Sequence, residues 1–343
     1  LPAMVSTYLK KLPQTIESIG TPLTILRYEF PSQPVDILQW LNHNQTKTKI
    51  YWSDRQGETE MGGIGSADVI QGSGNINPEK IFNHIEDRLA SDNPYLRYYG
   101  GYCFDDEHLD PAWNDFGTYQ FIIPKFEFYR QDYDHHFAVN IAVKDINAEF
   151  IKNLIQQLNQ FHFKPTETVY SIPNIKDRID QPDQREWSKV FESAKALLKS
   201  GKLQKIVLAR KSTFTFAKHV NPWELLIQLK KDTPQCFHFG FQLNADSVFL
   251  GASPERLYKK SLNHFETEAL AGTMPRSDNP IKDKQSGKDL LESDKNLVEH
   301  KLVVHSIKEK AENLTKKLNG NLNPQLLTLH AGHHLMTRFD GIL

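Results

Sequence analysis

Cysteine is scarce: the 343 residues hold two, Cys103 and Cys236, each in an aromatic, strand-like setting (GGYCFD and QCFHFGF). No CxxC pair exists, which excludes a zinc ribbon or a dithiol redox motif and leaves two buried free thiols in a reducing compartment as the expectation. An excess of one charge is missing too. With 41 basic against 42 acidic residues the net charge is −1, so the chain as a whole has no attraction for nucleic acid or an anionic membrane. A local positive pocket for a small anion is compatible with that balance. No apolar run approaches the ~20 residues needed to cross a bilayer. The opening residues LPAMVSTYLKKLP lack the apolar core of a secretory signal. A cytoplasmic protein with no obligate protein partner is the expectation.

Familiar cofactor loops are also missing. GGIGSA at Gly62 to Ala67 contains a short GxG, but neither the third glycine of a dinucleotide loop nor a βαβ frame. No P-loop and no GxSxG elbow occur. His330, His333 and His334 have helix-compatible spacing without the glutamate of a zinc HExxH site. His135 and His136 read as polar positions of an alternating strand. What is present is ordinary for a globular protein, 39% hydrophobic and 24% charged, with length for one or two domains.

The most linker-like stretch is Ser171 to Gln184 (SIPNIKDRIDQPDQ), polar and with two prolines. It predicts two portions, 1–180 and 181–343. In the first, TPLTILRYEF, KTKIYWSD, TYQFIIPKFEFYRQ and HHFAVNIAV read as strands, and IFNHIEDRLA and EFIKNLIQQLNQF as helices. Strands arrive in series, which predicts an α+β fold rather than a doubly wound parallel sheet. The second portion opens with a helix whose Trp187, Val190, Phe191, Ala194, Leu197 and Leu198 share one face, with Asp183 or Gln184 near its start and Gly201 past its end. A strand is predicted at Lys205 to Arg210 (KIVLAR), and a helix near Pro222. Strands follow in CFHFGFQL, in VFLGASPERLYKK with a turn at Ser253–Pro254, and in FETEALAGT, then one long helical stretch from about Gly287 to Leu318.

Four places in this second portion could carry chemistry. Lys205 opens a short apolar strand; burial there would disfavour its charged form and make it a base, whereas the alternative is a strand-end lysine reaching solvent. Glu255, after Pro254, is either a carboxylic acid raised by burial or a turn glutamate paired with a neighbour. Gly272 and Thr273 end an apolar run (LAGT) where backbone N–H groups could approach an anion, or simply form a glycine turn. Glu299 lies on the edge of a core-facing helical stripe and needs a partner, either Mg²⁺ or a basic side chain.

Taken in order, KIVLAR, GASPERL, TEALAGT, ESDKNLVEHKLVV and HHLMTRFDGIL resemble the chorismate-utilising enzyme family. WSDRQGETEMGGIG, YYGGYCFD and FIIPKFEFYR agree with it, so the resemblance covers essentially the whole chain. The ammonia-using anthranilate synthases typically carry glutamine where this chain has Lys205, and aminodeoxychorismate synthases often carry lysine where it has Ala271. A lysine on KIVLAR is similar to the water-adding members. TEALAGT and SPERL look more like the menaquinone-type isochorismate synthases than the siderophore type; salicylate synthases share the same lysine and glutamate.

The resemblance implies the family's large antiparallel sheets packed with helices, and the conversion of chorismate to isochorismate. It implies that Lys205 takes a proton from the water attacking C2 and that Glu255 protonates the departing C4 hydroxyl. Glu299 would be a ligand of Mg²⁺, which neutralises the ring carboxylate. Gly272, Thr273 and His334 would contact substrate, and Glu268 would stand behind them. Family members extend beyond the segment matching HHLMTRFDGIL, with further substrate-gripping residues and a second carboxylate for Mg²⁺. A chain lacking that stretch would be expected to bind chorismate at most.

Overall fold

Antiparallel pairing dominates the structure, a computed structural model that describes residues 1–12, 25–89, 93–164 and 171–343. Its strands, in chain order, are β1 (Ile25–Pro31), β2 (Lys49–Ser53), β3 (Thr59–Gly72), β4 (Tyr99–Tyr102), β5 (Tyr119–Gln131), β6 (Asp134–Ala142), β7 (Ile175–Gln181) and β8 (Lys211–Phe216). Then come β9 (Phe237–Gln242), β10 (Val248–Ser253), β11 (Lys259–Ser261), β12 (His264–Pro275), β13 (Lys317–Gly320), β14 (Gln325–Thr328) and β15 (Gly332–Ile342). The α-helices are α1 (Pro2–Leu9), α2 (Ile37–His43), α3 (Pro78–Leu89), α4 (Ala148–Gln160), α5 (Gln184–Lys199), α6 (Pro222–Asp232), α7 (Pro280–Glu292) and α8 (Asp294–Leu314). The α+β architecture expected from strands arriving in series is what forms.

The chain divides into two units, which are not the consecutive portions 1–180 and 181–343. The first comprises Leu1–Tyr170, Pro222–Lys231 and Cys236–Ser253; the second comprises Ser171–Asn221, Asp232–Gln235 and Pro254–Leu343. The physical reason is sheet pairing. β9 bonds along β2, Ile50 opposite Phe241 and Tyr51 opposite Gly240, and β10 then pairs with β9. Late sequence thereby completes an early sheet.

In the first unit the strand order is β1-β6-β5-β3-β2-β9-β10, with β4 added along β5. Period-two alternation sends Tyr51, Ile64, Phe126, Phe128, Phe137 and Val139 to one face, where Leu9 of α1, Trp40 of α2, Leu154 of α4 and Leu226 of α6 bury against them. Ile50, Met61, Ile122 and Tyr129 form a cluster of their own. The GGIGSA glycines lie within β3 and not in a nucleotide loop. A β-carbon on Gly62 would lie 2.3 Å from Ile37 Cγ2, so glycine there lets α2 settle on the sheet.

The second unit holds a sheet in the order β11-β12-β15-β13, with β14 along β15, and a separate β7–β8 pair. α8 buries Val304 against Ala269 of β12 and Phe339 of β15. Several sequence expectations are corrected here. The predicted linker contains β7, paired with β8. KIVLAR is not a strand; β8 begins just after it, at Lys211. The single long helix is two, parted at Ser293, whose side chain caps α8 by accepting from Asn296 N–H. α5 starts as expected, with Asp183 and Glu186 forming a capping box, and Gly201 beyond it takes φ +71°. Of its predicted buried face, however, only Ala194 is buried, while Val190, Phe191, Leu197 and Leu198 are exposed.

Candidate active site

All six residues singled out for chemistry belong to the second unit. The frame is the antiparallel pair β12–β15, whose register slips between Leu270 and Thr273. Gly272 sits in that bulge at φ +86°, where L side chains are strained. A β-carbon there would also lie 3.2 Å from Leu335 Cδ1 and 3.3 Å from Asn296 Cβ. The bulge thus turns the strand against the first turn of α8.

α8 answers with two consecutive side chains. His300 is buried; its Nδ1 meets the Ala271 carbonyl at 3.1 Å and its Nε2 meets Thr337 Oγ1 at 2.8 Å. Burial lowers its pKa, with the Ala271 contact working against the shift. A neutral ring facing a carbonyl must carry its proton on Nδ1, so Nε2 accepts from the threonine hydroxyl. His300 therefore clamps α8 to the bulge. Its neighbour Glu299 reaches Lys205: Nζ donates to Oε1 at 2.7 Å, with 31% of the lysine side chain and 39% of the glutamate still exposed.

Lys205 is thus an ion-paired lysine on an extended segment. The buried strand expected to desolvate it is absent, since Ile206 and Val207 beside it are exposed. Glu299, offered Mg²⁺ or a cation as partner, has the cation. Thr273 and His334 face each other in register on β12 and β15, and Thr273 Oγ1 lies 2.9 Å from His334 Nδ1. Burial, and next the neighbouring His333, lower the His334 pKa. The adjacent His333 points the other way and is held by Asp283 Oδ1 at 3.0 Å and Thr328 Oγ1 at 3.0 Å. The three histidines do not lie on a helix; His333 and His334 alternate across β15.

Glu255 follows β10 and is exposed, not buried as expected. That segment is tied to β12 on its far side, where Arg256 Nη1 donates to Glu266 Oε2 at 3.2 Å and Thr267 Oγ1 donates to the Leu257 carbonyl at 2.7 Å. Glu268 is buried on β12. Lys205, Glu299, Gly272, Thr273 and His334 are therefore assembled around one bulge, with Glu255 on a strap anchored to the same strand. Sequence reasoning overlooked His300 and Thr337. Their signal was available: His300 directly follows Glu299, and Thr337 stands three residues after His334.

The family model described as chorismate binding enzyme matches residues 14–343. The isochorismate synthase MenF of Haemophilus influenzae is 28% identical over 326 residues, 93% of this chain and 68% of that protein. MenF of Escherichia coli is 28% identical over 344 residues, 98% of this chain and 73% of that one. The solved structure of the menaquinone-specific isochorismate synthase MenF from Escherichia coli aligns with TM-score 0.81 at 24% identity, covering 99% of this chain and 76% of that one. Anthranilate synthase component I from Streptococcus pneumoniae shares the fold at TM-score 0.59 and 16% identity, over 83% of this chain and 69% of that one. With the match running through both units and the whole β12–β15 site, the chain belongs to the chorismate-binding enzymes.

Proposed function

We propose that this protein is an isochorismate synthase of the menaquinone type, converting chorismate to isochorismate by adding water at C2 with loss of the C4 hydroxyl. The observation that carries the reading is Lys205 placed 2.7 Å from Glu299 on the helix that packs against the Gly272–Thr273 bulge. The Lys205 side chain is 31% exposed, which leaves the site open to solvent. In the proposed reaction Lys205, as the free amine once its own proton has left, takes a proton from the attacking water, and Glu255, protonated, delivers a proton to the leaving hydroxyl. Thr273 and His334 supply a hydroxyl and a neutral imidazole for hydrogen bonds to substrate oxygens.

Mg²⁺ is the proposed cofactor, and Glu299 the residue that would hold it in exchange for the Lys205 ammonium, whose proton the nearby positive charge would help to release. Among the described residues no three His, Cys, Asp or Glu side chains converge on one point. A single carboxylate completed by water and substrate oxygens suits Mg²⁺, which gives up its waters reluctantly. The bound ion would neutralise carboxylate charge on the substrate. A cytoplasmic location belongs to the same proposal.

The test is product analysis of the purified chain with chorismate and Mg²⁺. Isochorismate without pyruvate is expected. Release of pyruvate in step with chorismate loss would make the enzyme a salicylate synthase, and no turnover would leave the chain a chorismate-binding protein only.

A further inference from the structure

The first unit contains a cavity of about 490 Å³ that the reaction above does not use. Its wall is the loop between β4 and β5, and its floor is β4 with the start of β5 and Phe241 and Phe249 of the β9–β10 hairpin. The loop is a built feature. Cys103 N–H bonds to the Thr118 carbonyl at 2.8 Å and closes its base, Thr118 N–H bonds to the Gly72 carbonyl at 2.9 Å, and Asp110 caps a short turn through Ala112 N–H at 2.9 Å. That turn presents Trp113 and Phe116 to Phe249, with Trp113 and Phe249 centroids 4.9 Å apart at 63°.

These rings remain partly open: Trp113 and Phe249 are each 38% exposed although they line a concave space. Edge-to-face packing uses ring edges and leaves ring faces free for a flat partner. The volume is that of ordinary small-molecule pockets, which are mostly apolar with a few polar groups for orientation. The polar lining includes Thr118, Gln120, Asp110 and Asp105, which accepts from the Glu107 and His108 N–H groups at 3.0 and 3.2 Å and lies 3.1 Å from His108 Nδ1. Two carboxylates repel anions, so the cavity does not suit a dicarboxylate such as chorismate. The geometry points to a second binding site, for a planar, uncharged aromatic molecule bearing a hydrogen-bond donor directed at Asp105 or Asp110.

Gly101 supplies the decisive substitution. It lines the cavity, and a β-carbon there meets nothing within 4 Å, whereas one on the adjacent Gly100 would lie 1.9 Å from the Gln120 carbonyl oxygen. Gly101→Leu therefore fills the space without disturbing β4. The probe is N-phenyl-1-naphthylamine, neutral and with one N–H, followed by its fluorescence. One saturable site per chain is expected, undisturbed by saturating chorismate and weakened at least tenfold in Gly101→Leu. No saturable binding, equal binding in the variant, or displacement by chorismate would each overturn the proposal. A second measurement needs no variant: the probe should slow alkylation of Cys103, which lines the cavity, by iodoacetamide, read by mass with the buried Cys236 as reference. Unchanged alkylation at saturating probe would equally overturn it.

Discussion

At the scale of single residues, Lys205 and Glu255 carry opposite duties and should fail differently. General acid and base groups contribute about 10²–10⁴-fold. Lys205→Ala is expected to lower kcat by a factor in that range while the Kd for chorismate, measured by titration calorimetry, changes only a few-fold. Glu255→Gln keeps the shape of the side chain and removes the proton donor, so it should fold normally and lose turnover to a similar extent. Near-normal turnover in either variant removes that residue from its role.

A different residue governs stability. Lys49 is 2% exposed on β2, its ammonium 5.5 Å from the centre of the Trp223 ring. Burial lowers its pKa from 10.5 to about 8. The unfolded chain then holds this proton more tightly than the folded one, so the group opposes folding fully below pH 8. That handicap fades as the pH rises from about 8 to 10.5. Lys49→Met should stabilise the protein by about 1–3 kcal/mol near pH 7, less any loss of the cation–ring attraction. Urea midpoints at pH 7 and pH 10 check this; a difference that does not shrink at the higher pH would refute it.

At the scale of elements, the β12–β15 bulge is the device that makes a site of scattered residues. Gly272→Ala forces a β-carbon into a left-handed backbone and against Leu335 and Asn296. The backbone conflict costs about 1–2 kcal/mol, and relief would shift the Thr273–His334 contact. Loss of stability on that scale in urea, together with reduced kcat/KM, is expected; a variant as stable and active as the parent would mean that the bulge does not need glycine. This element was only half legible in the sequence. LAGT drew notice for its glycine and small residues, and β12 itself was predicted from FETEALAGT. Its partner β15 was not, because three histidines at helix-compatible spacing look alike on a helix and on a strand until a neighbour selects the period. KIVLAR erred the other way: apolar alternation predicted a strand, but among the described residues no strand pairs with it, and β8 starts beyond. In the first sheet β1, β2, β5 and β6 were read from aromatic and β-branched residues that alternate, whereas β3, at its centre and rich in glycine, and the short β4 were not. The β9–β10 return to that sheet was not read at all, since pairing between distant segments leaves no mark in either one.

At the scale of the whole molecule, the two units differ in how much they bury. The first holds a large core cluster in which Trp40, Tyr51, Phe126, Phe137 and Ile141 are all but inaccessible, drawn from four helices and most of a sheet, with smaller clusters beside it. The buried cluster of the second is small, formed by Ala269, Val304 and Phe339. Elsewhere in that unit Phe191, Leu198, Ile175, Ile179, Val207 and Phe214 stay exposed, on α5, the β7–β8 pair and the segment before it. Local opening free energy follows the apolar surface each element buries. Amide hydrogen exchange read by mass spectrometry should therefore show the slowest exchange in β5 and β6, intermediate protection in β12, β15 and α8, and the fastest among ordered elements in α5 and β7–β8. Adding chorismate with Mg²⁺ should slow exchange at the LAGT bulge and the first turns of α8, because Lys205, Glu299 and Thr273 stand there. Equal protection of both units without ligand would overturn the ranking, and protection on ligand binding that appears only in the first unit would move the substrate site away from β12.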